Sequence, residues 1–198
     1  MNRESFITGV RARLAGVEVV EADVPKDWAV TVDERPTRFA EELAGSAGSA
    51  YIGLPAAAPL LERIAGETVL VTGDAGIPGE VSQRAGRVLH WPVSREQVAA
   101  VTFGVTSAMW AVAETGSVVV SSAPPGGRAP SLLPPVHIVF LPVDRLLATT
   151  VELFGAVAAL DAPPSNLVVI TGPSKSADIG QELSVGVHGP RELHVVLL

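Results

Sequence analysis

The stretch NLVVITGPSKSADIGQELSVGVHGP, residues Asn166–Pro190, combines a strand pattern, a glycine turn and a possible helix start. It begins with an apolar, β-branched run, Leu167–Ile170, which is typical of a strand buried on both faces of a sheet. Gly172 and Pro173 end that strand, and Ala177–Leu183 has the composition of a helix start. The stretch therefore predicts a strand–turn–helix corner, which is a building unit of α/β folds.

This corner has two interpretations that differ in chemistry. In the first, backbone N–H groups at the helix start act with a lysine and hydroxyls to bind phosphate or carboxylate. The residues that would bind the anion are Gly172, Ser174, Lys175, Ser176 and Asp178. In the second, the Ser and Asp side chains only cap the helix. A Walker-type phosphate loop is not predicted, because that motif places a glycine directly before the lysine.

Composition and charge restrict the class of protein. The chain has 198 residues, of which 47% are hydrophobic, and its net charge is −7. An acidic chain is poorly suited to nonspecific binding of nucleic acid or an anionic membrane surface. Without cysteine it offers no disulfide and no thiolate ligand for zinc or an iron–sulfur cluster. We therefore expect no cofactor in this chain. Its N-terminus lacks the apolar run of a signal peptide, so we expect a cytoplasmic protein.

Strand and helix patterns alternate from Ala50 onward. Helices are predicted from Pro36 to about Leu43, at Ala56–Ile64, after Ser94 and at Val143–Leu160. Strands are predicted at Ala50–Ile52, Thr68–Thr72, Arg87–His90, Ala100–Val105, Trp110–Ala113, Ser117–Ser121, His137–Leu141, Leu167–Ile170 and His194–Leu198. This alternation predicts an α/β domain with a mostly parallel sheet and helices on both faces. We expect residues 1–35 to form an N-terminal helix and connector, and residues 36–198 to form the domain.

Two charged residues interrupt uncharged segments. Glu114 lies in an apolar run, where burial of a carboxylate without a partner is costly. It is either a general acid, base or ligand-binding group, or a turn residue that meets solvent or a backbone amide. Arg128 carries the only charge in the Pro/Gly-rich loop Ser122–Pro135. It either holds a carboxylate or phosphate, or is a solvated loop charge.

The four histidines do not form a metal site by their spacing. His137 and His194 lie in predicted strands and are expected to be hydrogen-bonded core histidines. His188 lies in a Gly-Pro turn, where a side chain can face a cleft. It is therefore the histidine that we predict to be functional.

Three motifs, in order along the chain, resemble the LUD-domain family. Ala113–Ser117 matches A-E-T-G-[ST], and Arg128–His137 matches R-x-x-S-x-L-P-x-x-H. In the opening stretch, GPSKSADI and then GVHGP resemble G-P-S-[RK]-[ST]-A-D-I-E and G-x-H-G-P. The resemblance covers roughly Pro36–Leu198. It departs from the family at Gly180, where a glutamate is usual.

The resemblance implies a fold and a biological role. The fold would be similar to that of 5-formyltetrahydrofolate cyclo-ligase and of the sugar-isomerase and CoA-transferase-like α/β proteins. The role would lie in oxidation of L-lactate to pyruvate, beside iron–sulfur lactate-utilization proteins (LutA- and LutB-like) that carry the clusters. The alternatives are a stand-alone enzyme acting on a phosphorylated or nucleotide-like substrate, and a non-catalytic scaffold subunit. The resemblance leaves open whether the chain is itself catalytic.

We expect the candidate residues to converge on one cleft, because parallel sheets bind ligands at the carboxyl ends of their strands. Glu114 and His188 are predicted to be catalytic, since both can exchange protons. An anionic small molecule is the expected occupant. The residues predicted to bind it are Thr115, Gly116, Arg128, Gly172, Ser174, Lys175, Ser176 and Asp178.

Overall fold

A computed structural model describes residues 3–16, 31–72, 76–124, 127–177, 183–186 and 188–198. The helices are α1 (Arg3–Leu14), α2 (Arg35–Gly45), α3 (Ala58–Arg63), α4 (Gly79–Arg84), α5 (Arg95–Ala99), α6 (Ala129–Leu132) and α7 (Thr150–Ala158). The strands are β1 (Ser49–Ile52), β2 (Thr68–Val71), β3 (Arg87–His90), β4 (Phe103–Ser107), β5 (Trp110–Val112), β6 (Ser117–Ser121), β7 (Val136–Leu141), β8 (Leu146–Leu147), β9 (Leu167–Ile170), β10 (Lys175–Ala177), β11 (Leu183–Val185) and β12 (Glu192–Leu197).

A main sheet of six parallel strands forms the centre of the molecule, in the order β1–β12–β7–β4–β2–β3. Its middle strands are mostly apolar, and every residue of β7 is buried. Such strands are stable only where both faces of the sheet are covered. The predicted α/β fold, with a mostly parallel sheet and helices on both faces, is confirmed.

Helices α3 and α4 cover one face of the main sheet. Leu60 and Leu61 of α3 and Val81 of α4 are buried and pack against strand residues such as Val69 and Phe140. Each fully buried aliphatic side chain of this kind contributes about 1.5–3 kcal/mol through removal of apolar surface from water. This layer is the larger of the apolar clusters that hold the sheet.

The opposite face carries a second sheet that the sequence did not predict. It has four strands in the order β8–β5–β6–β9, and the β5–β6 and β6–β9 pairs are antiparallel. Ala111 and Val118 of this sheet share a buried cluster with Phe39 and Leu43 of α2 and with Val139 of the main sheet. Helix α7 covers the outer face of the second sheet. The molecule is therefore layered, with α2 and the second sheet on one side and α3 and α4 on the other.

The prediction that Leu167–Ile170 is buried on both faces is wrong, although its bounds as a strand are correct. These residues form β9, the edge strand of the second sheet, and Val169 is 54% exposed. An apolar run does not specify which sheet a strand joins. In this chain, pairing with β6 places the strand at an edge rather than in the centre of the main sheet.

The predicted helix Val143–Leu160 is also shorter in the structure. Thr149 is its N-cap, and the Thr149 side chain accepts a hydrogen bond from the Glu152 backbone N–H. Before that cap lie a short 3-10 turn and then β8, which pairs with β5. Pairing with the second sheet therefore outweighs the helical preference of the segment before Thr149.

The predicted helix start at Ala177–Leu183 is a third difference. Ala177 and Leu183 are antiparallel partners in the pair formed by β10 and β11. The residues between them, including Asp178 and Gly180, lie outside the described part of the chain.

The N-terminal helix is present as α1, and the proposed boundary after residue 35 stays a prediction. Among the described residues, none of the helices combines the length and the hydrophobicity that a membrane span requires.

Helix α6 lies directly on strand β4. A Cβ atom added at Gly104 would lie 1.8 Å from the Pro130 carbonyl oxygen and 2.9 Å from Cγ of Pro134. Only glycine permits this approach, because any side chain would displace the helix. The position of α6, and of Arg128 immediately before it, is therefore set by the absence of a side chain at Gly104.

Replacement of Gly104 by alanine should be destabilising. We expect Gly104→Ala to lower the free energy of unfolding by about 1–3 kcal/mol, since the overpacked contact is with backbone. Gly155→Ala is the matched control, because a Cβ atom there meets nothing within 4 Å. That control lies in α7 and should be neutral or stabilise by about 0.5–1 kcal/mol. Chemical denaturation measures both, and equal stability of Gly104→Ala and wild type would contradict the contact.

Candidate functional site

Glu114 lies in the turn between β5 and β6 and contacts the start of α7. Its Oε2 accepts hydrogen bonds from the Thr150 backbone N–H at 2.8 Å and from the Thr150 hydroxyl at 2.9 Å. Its own N–H donates to the Ala148 carbonyl at 3.0 Å. A carboxylate at a helix N-terminus satisfies free N–H groups and complements the helix dipole. Glu114 therefore holds the beginning of α7 against the second sheet.

A chain of hydroxyl groups follows Glu114. The Thr115 and Ser117 hydroxyl oxygens are 2.7 Å apart, and those of Ser117 and Thr171 are 2.8 Å apart. Ser117 is almost fully buried, with 2% of its surface exposed. Hydrogen bonding between these side chains satisfies polar groups that would be costly to bury alone. This series of hydrogen-bonded hydroxyl groups links the first family motif to the beginning of the third.

Two glycines bring these turns against the last turn of α2. Gly116 has a φ of +63°, and a Cβ atom there would lie 2.3 Å from the Leu43 backbone nitrogen. A Cβ atom at Gly172 would lie 2.6 Å from the Ser46 carbonyl oxygen. The Lys175 ammonium donates to that same carbonyl at 2.8 Å, which complements the negative end of the helix dipole.

We call this cluster the α2 junction. It consists of Leu43 and Ser46 of α2 together with Thr115, Gly116, Ser117, Thr171, Gly172 and Lys175. The hydroxyls of Thr115, Ser117 and Thr171 and the Lys175 ammonium have hydrogen-bond partners within the chain. The structure therefore brings together four of the predicted ligand-binding residues, at contacts that join α2 to the second sheet.

The third motif also folds onto itself. The Ser174 N–H donates to the Pro190 carbonyl at 2.8 Å, and the Gly186 N–H donates to the Ser174 carbonyl at 2.8 Å. A Cβ atom at Gly189 would lie 3.3 Å from that of Ser174. His188 is exposed on this turn. The backbone of Ser176 pairs with β11.

Arg128 lies in a different group of contacts, at a cavity of about 430 Å³. The residues that line it are Trp91, Ser122, Gly127, Arg128, Ala129, Leu132 and Leu133. Arg128 is exposed, and the described residues provide no hydrogen-bond partner for its guanidinium group. Trp91 follows β3, at a carboxyl end of the main sheet, where open α/β sheets bind ligands. The charge of Arg128 is thus available to a ligand.

Sequence reasoning missed Trp91. Its signal was an aromatic residue directly after a predicted strand, but no motif includes it. Within the described ranges, hydrogen bonds link neither the Arg128 guanidinium nor the His188 ring to the α2 junction. Thr115, Gly116, Gly172 and Lys175 thus lie at the α2 junction. Arg128 lies at the cavity.

The described residues contain no group of three or more His, Asp or Glu that could hold a metal ion. An organic ligand has a better-suited place in the Arg128 cavity. There a cation, the Ser122 hydroxyl and an indole ring border a depression that is open to solvent, with a volume within the range of small-molecule sites, roughly 300–1,000 Å³.

His137 closes the second motif and is a core histidine. It is 1% exposed, and its Nε2 is 3.0 Å from the Thr106 hydroxyl. Its Nδ1 is buried without a hydrogen-bond partner in the described part of the chain. Burial lowers the pKa of His137 from 6.5 to about 3, because the charged form loses its hydration. The ring is therefore neutral at physiological pH.

His194 belongs to a separate polar network on β12. Its Nδ1 is 3.2 Å from the Tyr51 hydroxyl, and its Nε2 is 2.9 Å from the Glu192 carboxylate. Arg63 donates to both oxygens of Glu192, at 2.8 and 3.1 Å. Hydrogen bonding from Arg63 lowers the pKa of Glu192 to about 2, and burial lowers the pKa of His194. The network ties α3 to the main sheet.

The contacts of Glu114 lead to a stability prediction. Removal of its carboxylate in Glu114→Ala should cost about 1–2 kcal/mol of unfolding free energy, comparable to the loss of a helix cap. Glu41, exposed on α2, is the control, and Glu41→Ala should stay within about 0.5 kcal/mol of wild type. Denaturation curves compare the two variants. Equal small effects would mean that Glu114 does not hold α7.

The burial of His137 leads to a pH dependence. Since its pKa is lower in the folded than in the unfolded chain, stability is complete above pH 6.5 and is lost as pH falls toward 3. Between pH 7.5 and pH 5 this residue should remove about 2 kcal/mol. His137→Gln should lack that component, so its stability should fall less over the same interval. Equal pH dependence of the two proteins would contradict a buried, neutral histidine.

Comparison with known proteins places these motifs in a family. A model described as the LUD domain matches residues 90–198, which is more than half of the chain. Lactate utilization protein C from Exiguobacterium sp. is 33% identical over 148 residues, covering 70% of this chain and 64% of that protein. The protein of the same name from Halalkalibacterium halodurans is 42% identical over 99 residues, covering 48% of this chain and 43% of that protein.

Two further relatives extend the comparison. The uncharacterized protein YkgG from Escherichia coli is 32% identical over 150 residues, covering 68% of this chain and 64% of that protein. A solved structure of a DUF162 family protein from Deinococcus radiodurans superposes with a TM-score of 0.61 and 26% identity, covering 85% of this chain and 99% of that one. The chain spans less than two thirds of the curated relatives that it matches. The family match contains all three motifs, and the chain belongs to the LUD-domain family.

Proposed function

We propose that this chain is a component of L-lactate utilization, in the oxidation of lactate to pyruvate, and that it acts with iron–sulfur partner proteins. The observation that carries the proposal is its similarity to proteins named lactate utilization protein C, at up to 42% identity. The matched segment, residues 90–198, includes the Arg128 cavity and the part of the α2 junction that lies between Thr115 and Lys175. We therefore extend the role of those relatives to this chain.

The proposal divides the chemistry between subunits. Oxidation of lactate to pyruvate releases two electrons, which need a carrier. This chain contains no cysteine, and cysteine thiolates are the usual ligands of iron–sulfur clusters. In the proposed arrangement the partners hold the clusters, and this chain contributes a binding site for an anionic small molecule.

The Arg128 cavity is the place we propose for that anion. A guanidinium group that has no hydrogen-bond partner among the described residues can bind carboxylate or phosphate through two parallel hydrogen bonds. The backbone at Arg128 is held in position, because both the N–H and the hydroxyl of Ser131 donate to its carbonyl, at 3.1 and 2.9 Å. A cation on a fixed backbone loses less entropy when a ligand binds.

A stand-alone enzyme acting on a phosphorylated or nucleotide-like substrate is the second candidate. The volume of the cavity, about 430 Å³, supports it, because this is the size of site that takes a drug-sized ligand. Turnover of such a substrate by the purified chain alone would favour this candidate over a subunit role. A non-catalytic scaffold is the third candidate, and it would tolerate the loss of Arg128.

Growth tests the leading proposal. Deletion of the gene, in a strain without a redundant lactate oxidase, should impair growth on L-lactate and leave growth on glucose intact. Complementation with Arg128→Ala should restore growth only in part, since the loss of a charge-assisted contact weakens binding about ten- to a hundredfold. Arg145→Ala, at an exposed site, is the matched control and should restore growth fully. Normal lactate growth of the deletion strain would refute the role.

A further inference from the structure

We propose that the Arg128 cavity binds an organic anion with a flat aromatic ring system. The ring would lie against the indole of Trp91, and a single carboxylate or phosphate would bind the Arg128 guanidinium. This inference rests on the anion site proposed above and adds the chemical class of its ligand. The observations that support it are the side chains around the cation, which a simple inorganic anion would not need.

Trp91 is the first of these observations. It is 41% exposed, so a large part of its apolar ring lies in water, which is unfavourable without a ligand or partner. It directly follows β3, and a strand end of a hydrogen-bonded sheet gives it a defined position. Indole rings bind other aromatic rings by offset or edge-to-face packing. Trp91 is therefore suited to contact the flat part of a ligand.

The wall formed by α6 is the second observation. Leu132 and Leu133 line the same cavity and are 43% and 48% exposed. Both leucines lie within the second family motif, but neither is buried in the core. Between these leucines and Trp91 an apolar ring could remove surface from water on both of its sides. Lactate, with one methyl group, could cover only a small part of this wall.

The charge and size of the site limit the charge and size of the ligand that it can bind. Arg128 is the only charged side chain among the described residues that line the cavity, so one anionic group is matched. The Ser122 hydroxyl donates to the Asn166 carbonyl at 3.1 Å, and its oxygen is also 3.1 Å from the Ser165 hydroxyl, which leaves one lone pair that can accept from a ligand N–H. A volume of about 430 Å³ exceeds what a three-carbon acid fills. These features fit a nucleoside monophosphate or an aromatic carboxylate.

The α6 backbone gives this site a fixed shape. The Pro130 carbonyl lies against Gly104, and Ala129 packs into a buried cluster with Leu70 and Leu89 of the main sheet. The apolar wall and the cation are therefore carried by one element that the sheet holds in place. Preorganisation of this kind favours recognition of a rigid, flat molecule over a flexible one.

The test is calorimetric titration of the purified chain with a panel of probes. Adenosine monophosphate, flavin mononucleotide and indole-3-carboxylate represent the two sources of the proposed chemistry, and their relative affinities distinguish phosphate from carboxylate. L-lactate and inorganic phosphate represent the anion without a ring. Adenosine represents the ring without an anion. We expect saturable binding of at least one aromatic anion, at least tenfold tighter than that of any of the latter three.

Variants assign the binding to the cavity. Arg128→Ala should weaken binding of the aromatic anion ten- to a hundredfold. Trp91→Ala should weaken it about tenfold and leave the affinity for inorganic phosphate unchanged, whereas Trp91→Phe should retain most of it. Arg145→Ala should bind as wild type does. Thermal unfolding of each variant shows whether it is folded. If Trp91→Ala is not folded, the comparison of Trp91→Phe with Trp91→Leu takes its place.

Three results overturn the inference and are distinguishable. If L-lactate or inorganic phosphate binds as tightly as the aromatic anions, with the same dependence on Arg128, the anion site stands and the ligand class is wrong. If none of the anions binds, the anion site itself fails. Aromatic binding that Trp91→Ala leaves unchanged would also overturn the inference.

Discussion

Two glycine turns approach the last turn of α2 closely, and this contact joins the two sheets. Because Gly116 and Gly172 have no side chain, the backbone of each turn reaches the helix backbone near Leu43 and Ser46. Phe39 and Leu43 of α2 are buried against the main sheet, so this contact also fixes the second sheet, to which both turns belong. Lys175 adds a hydrogen bond to the Ser46 carbonyl. Two of the three family motifs therefore meet where the two sheets are joined.

The second motif has a different surrounding. Gly104 admits α6 onto the sheet, and this position presents Arg128 and the exposed leucines of α6 to the cavity beside Trp91. The motif thus combines a buried anchor, His137, with an exposed cation that has no partner in the described part of the chain. In the function that we propose, the α2 junction maintains the fold while the Arg128 cavity meets the ligand. A role in lactate utilization would then depend on this cavity and on the surfaces that contact the partners.

Local patterns predicted the strands well, and their assembly poorly. Arg87–His90, Ser117–Ser121 and Leu167–Ile170 have the predicted bounds because each is a β-branched or apolar run between turn residues. The second sheet escaped prediction because a short apolar run does not show which strand it pairs with. Glu114 illustrates the same limit, since its partner, Thr150, is distant in sequence. The carboxylate was recognised as needing a partner, but only the fold could identify a helix N-terminus in that position.

Nuclear magnetic resonance can locate the bound anion directly. Amide and indole N–H signals of the isotopically labelled chain would be followed while an aromatic anion, such as adenosine monophosphate, is added. We predict that the indole signal of Trp91 and the amide signals of Gly127 and Leu132 shift with saturation. The amide signals of Gly116 and Gly172 should remain in place. Shifts concentrated at these two glycines and at Lys175, with Trp91 unaffected, would show that the ligand binds at the α2 junction and would contradict the division of roles proposed for the motifs.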